Sequence, residues 1–360
     1  MRIKSLISLA VACGMATATV AHAQNAPSGA PPRPAAGAPR GSPLPPPQPI
    51  EQITDNVYKI FGGGGNTLVI VQSEGVVLVD TKLPGNGQAI LDEVAKVTDK
   101  PITTIICTHS HPDHVGSTDF IRERYPDVRI IMSEGTLAEL SGGPQPNPAL
   151  LPTETYSDRL TIGTGDDRIE LYHTGVGHTG GDTFVVVPSA KLLFMGDVMA
   201  WNMAPFLPAG GAMAIAAETE NLVAAVQDLG IEHVVEGHGH VNTWEGLLTL
   251  SRFNRALVTA ARAAYDRHDP PGAAVAELQR NPEFAALLDT RIKRGLAYGN
   301  TPLARAHMNV NIAYTEFAGE PAGFAIANGG PLPATDKHLG SDPKDTAPPT
   351  PEMLAAAVEK

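Results

Sequence analysis

The chain has 360 residues, an apolar fraction of 42% and a formal net charge of −12. That length suits one large or two modest domains, and the acidic balance argues against nucleic acid or an anionic membrane surface as a partner. The two cysteines, Cys13 and Cys107, exclude a disulfide-rich scaffold.

Residues 1–23 read as a secretory signal peptide. Arg2 and Lys4 precede an apolar stretch from Leu6, and "AHA" stands before Gln24. The expectation is export, with the mature protein periplasmic or secreted. Cleavage after Ala23 removes two cations and no acid, so the mature charge is −12 − 2 = −14. It also removes Cys13 and leaves Cys107 without an intrachain partner. No later stretch reaches the roughly 20 apolar residues of a membrane span. Residues 24–50 carry ten prolines among Ala and Gly and read as a linker.

Strands are expected from about Ile53 through Asp80, separated by glycine turns at "GGGG". A helix follows over 87–97, a strand over 102–107, a strand in "DVRIIMS" and a short helix over 136–141. Two hairpins turn at "TGDD" and "PSAK". A helix over 218–229 and the strand of "IEHVVEGHGH" complete an α/β (α+β) domain over 51–245, mixed sheets covered by helices. Beyond it, 246–320 reads as a helical appendage with helices near 247–268, 283–292 and 303–317. Residues 321–360 read as a flexible tail with a short helix near 351–358.

Chemistry concentrates in "THSHPDHVGS", where His109, His111, Asp113 and His114 fall within six positions. Imidazole and carboxylate hold divalent metals of intermediate hardness. In an extended segment His109 and His111 share a face, and Pro112 turns the chain so that Asp113 and His114 follow. The alternative is a polar loop that happens to be histidine-rich. Partners elsewhere weigh against it: His178 in "GHTGGD", Asp197 in "MGD" and His238 in "GHG" each stand at the exit of an expected strand, where loops gather functional groups on a rigid base.

This series, with Asp80 at the end of its strand, resembles the metallo-β-lactamase superfamily over 53 to about 245. The resemblance implies a four-layer αββα sandwich and two metals in a groove at one edge of the sheets. It implies that His109, His111 and His178 hold one metal, that Asp113, His114 and His238 hold the other, and that Asp197 bridges them. Asp80 would brace the histidine loop; its alternative is an aspartate capping a turn. His240 ranks behind His238, and among the other histidines His173 is the one expected to approach the groove. Cys107 is expected to point into the core.

The chemistry implied is hydrolysis. Two divalent ions roughly 3.5–4 Å apart lower the pKa of a shared water from 15.7 towards about 7, and Asp113 is the candidate to orient that water and move its proton. Asp113 and Asp197 are thus the catalytic candidates. Zinc is the expected metal, with manganese or iron also compatible. The family's β-lactamases usually carry Cys or Ser where this chain has Asp197, which favours the ester, thioester and lactone hydrolases that resemble glyoxalase II. Two alternatives are a β-lactamase proper and an oxidoreductase resembling persulfide dioxygenases with a single iron. A third is an exported protein that binds metal for structure only. The substrate is expected to be a small molecule. The loops 62–66, 141–158 and 201–213 border the expected groove, with Trp201, Met203 and Phe206 either forming an apolar lip or packing under the sheet. Arg294, Tyr298 and His307 are candidates for a groove-facing side of the appendage. Nothing in the sequence speaks to oligomeric state.

Overall fold

A computed structural model describes residues 46–143, 146–207, 210–289 and 301–319. The leader, most of the 24–50 linker, the 321–360 tail with its expected short helix, and Arg294 and Tyr298 lie outside the described residues.

One sheet runs in the order β1 (Glu51–Thr54), β2 (Val57–Ile60), β3 (Thr67–Val71), β4 (Val76–Val79), β5 (Ile102–Ile106), β6 (Arg129–Ser133) and β7 (Glu154–Tyr156). Its first four strands are antiparallel neighbours, and from β4 to β7 the pairing is parallel. The parallel half needs crossovers. These are α1 (Gly87–Val94), the pair α2 (Pro112–Val115) and α3 (Thr118–Arg124), and α4 (Glu134–Gly142). The second sheet holds β8 (Arg159–Ile162), β9 (Ile169–Tyr172), β10 (Phe184–Val187), β11 (Leu192–Phe194), β12 (His233–Val235) and β13 (Val241–Asn242). They lie side by side from β8 to β13 in chain order. The β11–β12 pair is parallel, and α5 (Ala212–Val226) lies between them in the chain.

Side-chain alternation sorts the apolar residues into three cores. In β3, Leu68 and Ile70 join a cluster with Val185, Val187, Leu192, Phe194 and Val235 of the facing sheet. Val69, between them, points the other way to Ile90 of α1 and Ile121 of α3. The second sheet splits likewise: Val186, Leu193 and Val234 face α5, α6 (Trp244–Asp266), α7 (Pro271–Gln279) and α8 (Pro302–Phe317). Strands buried on both faces read as unbroken apolar runs, and the result is four layers, helix, sheet, sheet, helix. Each fully buried Val, Leu or Ile contributes about 1.5–3 kcal/mol of transfer free energy.

Most expected elements are found, but α2, α3, β7 and β13 were not expected, and the helices need further correction. The helix expected over 218–229 begins at Ala212 and ends in a 3-10 turn over Gln227–Leu229. The helix expected over 283–292 is replaced, within the described residues, by two short 3-10 turns, Pro282–Phe284 and Ala286–Leu288. Helix α7 was not expected either; Pro271 occupies its first turn, where its missing N–H is no loss. The expected boundary at 245/246 falls inside α6, whose N-terminus is capped by the Thr243 hydroxyl accepting from Gly246 N. No helix among the described residues is long and apolar enough to cross a membrane.

Candidate metal centre

Five segments deliver side chains to one spot. The turn after β5 carries His109 and His111, and α2 carries Asp113 and His114. The loop between β9 and β10 supplies His178, the turn after β11 supplies Asp197, and the loop after β12 supplies His238. The glycine loop after β2 closes over them. Their donor atoms form three overlapping groups, each within 4.8 Å: His109, His111 and His178; His109, His114 and Asp197; Asp113, His114 and His238. The middle group joins the outer two and places Asp197 between them. Its Oδ2 lies 3.7 Å from His178 Nε2 and 3.4 Å from His238 Nε2, and its Oδ1 lies 3.3 Å from His114 Nε2. Asp113 Oδ2 is 3.2 Å from His238 Nε2.

The histidine rings are oriented from behind. Asp80, fully buried, accepts from Thr108 N at 2.7 Å, from the Thr108 hydroxyl at 2.7 Å and from His114 Nδ1 at 2.6 Å. The Thr108 hydroxyl lies 2.9 Å from His109 Nδ1, and the Phe206 carbonyl accepts from His178 Nδ1 at 2.6 Å. In these three rings Nδ1 is engaged and Nε2 is left to face the centre, which is how outer partners orient metal-binding histidines; His111 instead brings Nδ1 to the centre, 3.0 Å from His178 Nε2. Asp80 thus ties the start of the histidine loop to the His114 ring.

Close backbone approach explains the glycines here. A Cβ on Gly65 would lie 2.3 Å from the His114 ring, and one on Gly237 would lie 2.3 Å from Asp197 Oδ1. Lys82, buried and in the left-handed region at φ 62°, pins the same loop by donating to the carbonyls of Ile60 at 2.7 Å and Gly65 at 2.9 Å.

Charge divides the site in two. Burial, reinforced by neighbouring imidazoles, holds His109 well below the usual range and His178 down to about 3, so both are neutral lone-pair donors. His111 is lowered chiefly by burial. For His114 and His238 burial acts in the opposite sense but is outweighed by Asp197, with Asp80 and Asp113 also acting on His114 and Asp113 on His238; His114 rises well above its usual value and His238 to about 9. Asp113 is held down to about 2 against burial by His114 and His238, and Asp197 well below the carboxylate range against burial by His238 and His114. Two ionised carboxylates among five imidazoles are a donor set for a divalent cation, which would displace the protons held by His114 and His238. Buried His109 Nε2 and Asp197 Oδ1 find no hydrogen-bond partner, which fits donors built for a metal.

His240 is exposed and in none of the three groups. His173 donates through Nδ1 to the Asp182 carbonyl at 2.8 Å. Cys107 is buried in the core between the first sheet and its helices. The lip divides: Trp201 stacks on His238 with centroids 4.5 Å apart at 24°, Phe206 is half-buried with its ring 6.2 Å from that of His178, and Met203 is buried. Trp201 and Asn202 both hold positive φ, 53° and 50°, a strained turn that lays the indole over the ring. Sequence reasoning missed Glu139 of α4, which accepts from the Ser110 hydroxyl and from Gly180 N, tying the two histidine loops together. No spacing marks it.

The family model described as the metallo-beta-lactamase superfamily matches residues 60–238. The chain belongs to the metallo-beta-lactamase superfamily. By class, its members are metal-dependent hydrolases. The chain is 31% identical over 153 residues to the 2,4-dinitroanisole O-demethylase subunit alpha of Nocardioides, covering 41% of this chain and 45% of that protein. It is 27% identical over 224 residues to a metallo-beta-lactamase type 2 of a Bacillus species, covering 55% of this chain and 79% of that one. A solved stereoselective inverting sec-alkylsulfatase from Pseudomonas shares the fold with a TM-score of 0.58 at 16% identity, covering 75% of this chain and 50% of that one.

Proposed function

We propose that the chain is an exported dinuclear metal hydrolase, most simply a zinc enzyme, that cleaves an ester, thioester, lactone or amide-type carbonyl bond in a small molecule. The observation that carries this reading is the convergence of seven donor residues on one spot, with Asp197 common to both sides. On this reading His109, His111 and His178 hold one ion, Asp113, His114 and His238 the other, and Asp197 both. Bound there, divalent ions would supply Lewis acidity and a lowered pKa for water.

The chain's own residues do the rest. Asp113 has the more exposed of the two carboxylates and is positioned to orient water and accept its proton. Asp197 holds the two halves of the site in register. Trp201 covers His238 and, with Phe206, walls the entrance with apolar surface that excludes water. Asp80 and the Phe206 carbonyl keep the donor rings from turning.

The similar proteins carry three different names, an O-demethylase subunit, a β-lactamase and an alkylsulfatase, so the test must span leaving groups. Purified, zinc-loaded protein is assayed on lactones, thioesters, aryl esters, β-lactams, alkyl sulfates and aryl ethers, beside elemental analysis. Two ions per chain and turnover of one carbonyl class support the reading. One tightly bound iron and no hydrolysis would overturn it in favour of an oxidoreductase. Export is tested by N-terminal sequencing of the protein recovered outside the cytoplasm, with Gln24 the expected first residue.

A further inference from the structure

The helices after residue 243 supply none of the seven donors, yet α8 reaches the centre through an intermediate segment. We infer that α8 is a positioning element for His178, with Arg305 and Asn309 as the positioning residues; the inference rests on His178 being a metal donor. Residues 305, 309 and 316 lie on one helix face, four and eleven residues apart. Each of the three touches the chain near His178, at Pro205 and Phe206 or at Ala212 and Met213. The Arg305 guanidinium lies 5.0 Å from the centroid of the Phe206 ring. Asn309 Nδ2 donates to the Pro205 carbonyl at 3.0 Å. Glu316 Oε2 accepts from Ala212 N at 3.0 Å and Met213 N at 3.3 Å.

The grip lands where it matters. Asn309 holds the carbonyl just before Phe206, and Arg305 holds the Phe206 ring. The Phe206 carbonyl is the group that accepts from His178 Nδ1 at 2.6 Å. The same stretch also presses on the chain just ahead of His178, for a Cβ on Gly210 would lie 2.0 Å from the Gly177 carbonyl oxygen. Arg305 and Asn309 are 3% and 2% exposed, so neither can swing away without unpacking α8. The planar guanidinium suits a stacked contact that an ammonium would not reproduce.

The test compares wild type with Arg305→Met and Asn309→Asp. Zinc affinity is measured by chelator competition, the ligand field by the cobalt(II) absorption spectrum, and the metal-free thermal midpoint by circular dichroism. The expected result is about 10-fold weaker binding of one of the two ions, the scale for losing an outer partner of a ligand, together with a changed cobalt spectrum. A helix that served only the core would lower the metal-free midpoint and leave the affinities and spectrum as in wild type; that outcome overturns the inference. So does a rise in KM confined to anionic substrates with metal binding unchanged, which would make Arg305 a substrate contact. Should Arg305→Met fail to fold, Arg305→Lys keeps the charge without the planar stack, and an unchanged affinity there is equally adverse. Wild type that binds no zinc would instead sink the metal-centre reading itself.

Discussion

Asp197 is the residue whose loss should be felt on every substrate. It faces both halves of the site, so Asp197→Asn should lower zinc content towards one ion per chain and cut turnover by about 10-fold or more without reordering substrates. Elemental analysis beside the substrate panel checks this, and a changed ranking at full zinc content would contradict it. Asp80 acts one layer out. Asp80→Ala leaves Thr108 N, the Thr108 hydroxyl and His114 Nδ1 buried without their partner. Each such group costs about 1–3 kcal/mol, so urea denaturation of the metal-free protein should show a loss of at least about 2 kcal/mol. Cys107 is the contrasting case. Its Sγ sits 3.8 Å from the Thr118 hydroxyl in the core, and burial pushes the thiol far above its ordinary range. The folded protein should resist thiol reagents, and Cys107→Ser should keep its zinc; loss of zinc would mean that Cys107 reaches the site.

Among the elements, the glycine loop after β2 is the least forgiving. Gly65→Ala must displace His114 or the loop itself, so it should weaken zinc binding although Gly65 donates nothing to a metal. Lys82 holds that loop and should make its stability depend on pH. Burial pushes its amine from 10.5 down to about 7, with Asp80 opposing. Between those values the unfolded chain keeps a proton that the folded chain has shed, so the contribution of Lys82 to stability rises with pH. Below about pH 7 the buried charge is a cost in full. The difference in unfolding free energy between wild type and Lys82→Met, from urea curves at pH 7 and pH 10, should therefore grow at the higher pH.

For the whole molecule, metal that binds only the folded chain stabilises it by mass action, about 4 kcal/mol at a free concentration a thousand times Kd. At about 2–4 °C per kcal/mol, chelation should lower Tm by roughly 10 °C, readable by calorimetry. The C-terminal helices belong to the same cooperative body. Leu247, Leu257, Val275 and Tyr314 share one core with Phe184, Val186 and Leu193 of the second sheet. A chain ending at residue 245 would expose that face and should not fold to a soluble, zinc-binding domain.

The residues that announce the site in the sequence are those whose chemistry is local. His109 to His114 are neighbours in the chain, so their spacing alone brings them together, and Asp197 and His238 follow apolar runs whose ends are where loops must turn. Strands such as β3, β4, β10 and β11 were legible because each is an apolar run, whereas β7 and β13 are too short and polar to show. The expected 283–292 helix and the missed α7 show the limit of that reading: Pro271 and Pro282 look alike in sequence, and only the packing of α7 against α6 makes one of them a helix start. The supporting shell was illegible for a related reason. Glu139, Asn309 and Arg305 have no pattern around them, and each matters only because the fold sets it against a loop from a distant part of the chain. Donor identity is a property of residue type and short spacing, which the sequence carries by itself. Donor orientation depends on which backbone carbonyl or carboxylate stands behind each ring, and only the tertiary structure decides that.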